Sequence, residues 1–166
     1  VVSEGDATFG EDGTFQVEID TQSARQQHSD SDHSYRITAQ VVDQSRRTIS
    51  ATGEVLVARE PFKVFAWTDK GHYQTGDTIN VTLQARTPDG KGVAGQGKAT
   101  LYEVTWDNDV ANEREVEAFE LTASEDGSAS LKMVIPKAGQ YRISCSIADV
   151  AGNTQEGGQL LYVRGA

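Results

Sequence analysis

The stretch His28-Ser29-Asp30-Ser31-Asp32-His33 is the densest collection of chemically able side chains in this sequence, with two imidazoles and two carboxylates in six residues. His28, Asp30, Asp32 and His33 are donor types that hold Zn²⁺ or a similar ion. Such a site needs its donors fixed on a rigid element. Here the surroundings, Gln22 to Ser34, are polar and turn-like. The stretch therefore reads as a solvated loop, and neither a metal nor a cofactor is expected. Cys145 is the one cysteine, so no disulfide can form within the chain. It lies in Ile143-Ser144-Cys145-Ser146-Ile147, where alternation turns it inward as a compact hydrophobe. Asp107-Asn108-Asp109 lacks the spaced Asp-x-Asp-x-Asp-Gly order and the distal glutamate of a calcium loop. Trp106 to Glu115 is expected to be a solvated acidic connection, from which Trp106 could anchor a contact. His28, His33 and His72 all fall in turn-like contexts with no nucleophile on a rigid element nearby. No glycine-rich phosphate loop is present. An enzyme is not expected.

The elements that must carry these residues are strands. Apolar residues recur with a period of two, and no stretch of helical length shows a 3.6-residue stripe. Tyr35, Ile37, Ala39 and Val41 alternate with Arg36, Thr38 and Gln40; Tyr141, Ile143, Cys145 and Ile147 alternate with Arg142, Ser144 and Ser146. Ile79, Val81, Leu83 and Ala85 form a third such row, and Ala129, Leu131, Met133 and Ile135 a fourth. Trp67 is expected to alternate into the sheet interface or the domain junction. Turn signals separate the runs: Gly76-Asp77, Pro88-Asp89-Gly90, Asp126-Gly127 and Ala151-Gly152-Asn153. Seven runs follow Phe62, at about 62–68, 78–87, 97–104, 116–122, 128–135, 140–149 and 158–164. Seven short strands in about a hundred residues make an all-β, immunoglobulin-like antiparallel β-sandwich.

The region before Phe62 supplies three runs, at about 14–19, 35–43 and 53–59, and these resemble the last three of the later set. Tyr35-Arg36-Ile37 returns as Tyr141-Arg142-Ile143, Asp43 as Asp149, and Asp12-Gly13 as Asp126-Gly127. Gly53 to Arg59 is answered by Gly158 to Arg164 at an offset of 105. Such a period is the size of one sandwich rather than of a solenoid repeat. The expected organisation is a partial sandwich over 1–60 and a complete one over 61–166, joined by the short Arg59-Glu60-Pro61 segment. The chain would then begin inside a domain of a longer array, and its partial sandwich would expose edges that favour self-association.

A formal charge of −10 opposes nucleic acid as a partner. No apolar run has the length of a membrane span. Tyr35 and Tyr141, each opening its strand, are expected to be structural, in the manner of a tyrosine corner that pins a crossover.

The segment Phe62-Lys63-Val64-Phe65-Ala66-Trp67-Thr68-Asp69, followed by Tyr73-Gln74-Thr75-Gly76-Asp77-Thr78, resembles the opening of macroglobulin-type domains in the α2-macroglobulin-like family. Asp89-Gly90-Lys91-Gly92-Val93 is similar to that family's Asp-Gly-Lys-x-Val turn. Gly139-x-Tyr141-x-Ile143, with Asp149 and Gly152-Asn153, is similar to the end of such a domain. Gln74-Thr75 departs from the basic residue and proline usual before the glycine. Bacterial members are the nearest in pattern. The resemblance implies a non-catalytic part of a protease-trapping protein of the cell envelope, periplasmic or extracellular. Its partners would be neighbouring domains, and proteases would be engaged only by the whole protein. In that setting Arg25 would be a candidate cleavage point, ranking below the solvated-loop reading. Cys145 lacks the Gly-Cys-Gly-Glu-Gln surroundings of the family's thioester. The alternatives are an immunoglobulin-like adhesion or carbohydrate-binding surface module and a calcium-stiffened spacer.

Overall fold

The computed structural model describes residues 3–165. The chain divides into two compact units, Val1–Arg59 and Glu60–Ala166.

In the second unit the alternating rows become two sheets. Strand β3 (Lys63–Thr68) pairs with β5 (Thr78–Arg86), which pairs with β8 (Ser128–Val134). The other sheet runs in the order β4 (Tyr73–Gln74), β10 (Thr154–Arg164), β9 (Gly139–Asp149), β6 (Gly95–Asp107) and β7 (Val110–Ala123). The inward rows of both sheets meet in one core, which includes Phe62, Ile79, Leu83, Leu101, Ile143 and Ile147 at 1% exposure or less. Two layers closed face to face in this order make an immunoglobulin-like β-sandwich.

Three features differ from the sequence expectation. Among the described residues the unit has eight strands rather than seven, because β4 adds a two-residue parallel contact with β10, Val163 opposite Tyr73. Two residues are too few to show a period. Trp67 is 44% exposed and points outward with Phe65 and Lys63, while Val64 and Ala66 take the inner face. The sequence Trp106 to Glu115 is not a loop. β6 and β7 run on to pair Asp107 with Val110, and Asn108 and Asp109 carry φ of 49° and 63°. Two successive positive φ values make the mirror-image turn whose twist suits a two-residue hairpin. Asn-Asp is a weaker signal for that turn than Asn-Gly, which hid the hairpin.

The first unit holds a short helix α1 (Gln22–Gln27) and a two-stranded sheet of β1 (His33–Val42) and β2 (Thr48–Val57). The helix replaces part of the expected loop; Ala24, Arg25 and the glutamines are good helix formers. The run at 14–19 forms no strand. Its counterpart in the second unit, β8, is held by β5, and the first unit has no described strand equivalent to β5 for 14–19 to pair with.

The hairpins themselves repeat in register. Tyr35 faces Val55 and Tyr141 faces Leu161; Ile37 faces Gly53 and Ile143 faces Gln159. Both members of each pair are related by 106 residues, so the offset of 105 is corrected by one. A one-residue slip would turn every side chain to the other face. With 106, Val55 and Val57 correspond to the inward Leu161 and Val163. The turns agree as well. Asp43 N–H donates to the Arg47 carbonyl at 3.0 Å and Arg46 N–H to the Asp43 carbonyl at 2.9 Å, with Arg46 at φ 62°. The same bonds run from Asp149 to Asn153 and from Gly152 to Asp149, with Gly152 at φ 85°. Asp43 and Asp149 each accept a further backbone N–H, from Arg47 at 2.9 Å and Asn153 at 2.8 Å. The turn of Asp12-Gly13 and that of Asp126-Gly127 repeat this arrangement over 10–14 and 124–128. Each is a type I turn completed by a left-handed residue.

Candidate functional site

The His/Asp stretch ends against the first unit's hairpin. His33 opens β1 and its Nε2 lies 3.2 Å from the His28 carbonyl oxygen. The two imidazole centroids are 6.3 Å apart. Asp32 Oδ1 accepts the Arg59 N–H at 2.9 Å, so it ties the start of β1 to the end of the unit. Asp30 accepts a 3.3 Å bond from its neighbour Ser31. Among the described residues no three His, Cys, Asp or Glu side chains converge as a metal site. What the stretch does line is an open depression of about 370 Å³, with Arg25, His28, His33 and Arg59 around it.

Cys145 is fully buried in the middle of β9, opposite Ala99 of β6 and Gly157 of β10. Burial, with a smaller contribution from the Glu156 carboxylate, pushes its thiol up to about 11. A thiol so protonated and enclosed is a poor nucleophile.

The two tyrosines occupy equivalent register positions but differ at the hydroxyl. Tyr141 O–H donates to the Lys137 carbonyl, four residues upstream, at 3.1 Å. Tyr35 O–H is buried and has no hydrogen-bond partner among the described residues. The expected parallel between them therefore fails at the hydroxyl. Before β9 the connection is the short Ile135-Pro136-Lys137-Ala138, whereas α1 and the His/Asp stretch precede β1. The longer approach brings no carbonyl into the corresponding place. Replacing Tyr141 by Phe should cost about 1–2 kcal/mol, and Tyr35→Phe should be neutral or slightly stabilising. Chemical denaturation of the two variants measures the contrast.

Asp69 was not singled out by the sequence, yet it organises the start of the sandwich. It accepts the Tyr73 hydroxyl at 2.7 Å, the Asn80 amide at 2.7 Å and the Asn80 N–H at 3.1 Å. Tyr73 in turn accepts the Lys70 N–H at 2.9 Å. Gly76 follows at φ 89°, the third residue of a turn in which Asp77 N–H reaches the Gln74 carbonyl at 3.0 Å and Asp77 Oδ2 accepts the Gln74 N–H. Only glycine adopts that conformation without strain. The hydroxyl of Tyr73 and the amide of Asn80 hold the Asp69 carboxyl at about 2, and the Ser124 and Ser128 hydroxyls do the same for Asp126. Both values lie below the ordinary 3.8, so the contribution to stability is complete above that value and lost as pH falls toward 2. Acid titration followed by circular dichroism should show stability declining between about pH 4 and pH 2. Asp69→Asn should flatten that decline.

The outer face of the larger sheet carries a group absent from the sequence expectation. Arg142 sits centrally, paired through Nε and Nη2 with both oxygens of Glu113 at 2.7 Å and reaching Glu156 at 3.5 Å. Its guanidinium lies 4.7 Å from the centre of the Tyr102 ring. The pairing with Arg142 holds Glu113 below its ordinary range. Trp106 Nε1 donates to Gln140 Oε1 at 2.9 Å, with Tyr162 directly across from Gln140 on β10. The Ser144 hydroxyl donates to the same Glu156 carboxylate. Alternation in β9 and β10 turns Arg142 and Glu156 outward, and the sheet order brings them beside Tyr102 and Glu113.

No protein-family model matches the chain, and no curated protein matches it. Among solved structures, the chain is similar to Escherichia coli α2-macroglobulin in its native conformation, at 10% identity and a TM-score of 0.48. That match covers 79% of this chain and 10% of the other. It is also similar to a tetra-tandem repeat from the extending region of a large adhesion protein, at 18% identity and a TM-score of 0.42, covering 80% and 32%. The sporulation control protein Spo0M of Bacillus subtilis matches at 14% identity and a TM-score of 0.45, covering 63% and 49%. The chain thus spans about half of the Spo0M structure and a tenth of the E. coli protein.

Proposed function

We propose that this chain is a non-catalytic stretch of a tandem array of immunoglobulin-like sandwiches, and that the array belongs to an α2-macroglobulin-like protease-trapping protein. The observation that carries the array is the repetition of one hairpin at a constant 106 residues, with matched cross-strand partners and matched turns. The sequence similarity of the Phe62–Asp69, Tyr73–Thr78 and Gly139–Ile143 segments to macroglobulin-type domains supports the finer reading. On it, these sandwiches are mechanical parts that hold a bait segment and a capture site supplied by other regions, in the periplasm or outside the cell. A Cys145 enclosed in the core suits that passive part.

The test uses the full-length protein that contains this sequence. After incubation with an excess of the trap, a protease should keep its activity toward a small chromogenic peptide and lose it toward a folded protein substrate. Equal activity toward both, with and without the trap, would remove the protease-trapping reading.

A further inference from the structure

The acidity of the second unit is concentrated in one segment of its sequence. Residues 103–126 contain nine carboxylates against the single cation Arg114, a net of −8. The unit from Glu60 to Ala166 has fifteen carboxylates and ten Lys or Arg, a net of −5, so its remainder is +3. The acidic segment is the far part of β6, all of β7 and the turn that follows. β7 is an edge strand. Pairing of β6 with β9 stops at Val104 opposite Gln140, while β6 and β7 continue together to Asp107 opposite Val110. The hairpin tip therefore extends beyond the strand beside it, with Trp106 60% and Val110 61% exposed. Charges on an edge strand discourage strand addition, but they do not account for an exposed tryptophan on the same arm.

The opposite layer carries the complement. The outward row of β3 is Lys63, Phe65 and Trp67; across from them on β5 stand Arg86, Gln84 and Thr82. Lys132 and Ser130 continue the face on β8. None of the outward side chains of these three strands is a carboxylate. Phe65 is 51% exposed and Trp67 44%.

We propose that this basic, aromatic face is a seat for the acidic β6–β7 arm of a second copy of the chain. Both surfaces are on the same sandwich, in different sheets, so the contact is heterologous and stacks copies head to tail. Charge sets the choice of partner, with Arg86 and Lys132 facing the carboxylates of the arm. Trp67 and Phe65 supply apolar area to meet Trp106, while Val110, opposite Asp107, lies on the other face of the hairpin. Three strands about 4.8 Å apart and about 20 Å long give a footprint of roughly 300 Å². That is well under the roughly 800 Å² per partner of a stable complex, so the contact is weak and gains from being repeated. The proposal does not depend on protease trapping.

Sedimentation velocity of the full chain across a concentration series tests it, with circular dichroism confirming that each variant is folded. The wild type should self-associate weakly at low salt, and the association should diminish as salt rises. The double variant Arg86→Glu/Lys132→Glu should weaken association by about tenfold, as should Asp107→Lys/Glu115→Lys. An equimolar mixture of the two variants should associate again. All four positions are exposed, so folding is not at stake. A strictly monomeric wild type, association indifferent to salt and to both variants, or failure of the mixture to recover would each overturn the proposal. Association through the β1–β2 edge would appear as the second of these results.

Discussion

Gly127→Ala should destabilise the second unit by about 2–5 kcal/mol, and its melting temperature should fall by more than about 10 °C. Two costs meet at this residue. Its φ of 81° lies in the left-handed region, where an L side chain costs about 1–2 kcal/mol. A Cβ there would also lie 2.1 Å from the Ala85 carbonyl oxygen and 2.9 Å from the Val93 nitrogen. Ala85 is hydrogen-bonded to this turn, its N–H donating to the Gly127 carbonyl at 2.8 Å, and its own carbonyl accepts the Val93 N–H at 3.1 Å. Relieving the clash therefore disturbs the β5–β8 ladder, a loss added to the conformational strain. Gly76 provides the control. Its φ is 89°, but open space surrounds the position of its Cβ, so Gly76→Ala should cost only the conformational part, about 1–2 kcal/mol. Differential scanning calorimetry of both variants separates the two costs.

Ile143→Ala should cost about 2–5 kcal/mol, whereas Ile37→Ala at the equivalent position of the first unit should cost less than half as much. Both residues follow a Tyr-Arg pair and both sit two residues along the strand from the tyrosine. Ile143 is 1% exposed and packed in the core between two sheets. Ile37 is only half-buried, on a two-stranded sheet with no second described layer of strands. The cost of truncating an aliphatic side chain is its transfer from a dry site plus the cavity left behind. Ile37 has little of either to lose. Urea titration with probes reporting on each unit measures the two values separately.

Much of the sandwich was legible because its strands have one wet and one dry face, and alternation then reports both the element and its orientation. The rows of β5, β8 and β9 are of this kind. What stayed hidden lay where alternation is broken or too short. The register irregularity at Leu101/Tyr102 shifts the pattern of β6 against β7, and the Asn108-Asp109 turn uses residues that seldom announce a tight hairpin. β4 has two residues. The inward expectation for Trp67 fails because Val64 and Ala66 take the inner face of β3, and alternation then turns Trp67 out. The 105-residue offset came from matching glycines by type, and pairing partners identify Gln159, not Gly158, as the counterpart of Gly53. The Arg142 group was invisible because it joins four strands, and only the sheet order brings them together. For the His/Asp stretch the donor types were visible, but the use made of Asp32 as an acceptor for Arg59 N–H depends on a contact across 27 residues.

Cross-strand nuclear Overhauser effects in the two hairpins bear most directly on the account. A common sandwich pattern repeated at 106 residues requires the backbone of Tyr35 to lie opposite Val55 just as Tyr141 lies opposite Leu161, with Ile37 opposite Gly53. Contacts placing Tyr35 opposite Leu56, or no cross-strand contacts between 33–42 and 48–57, would contradict it.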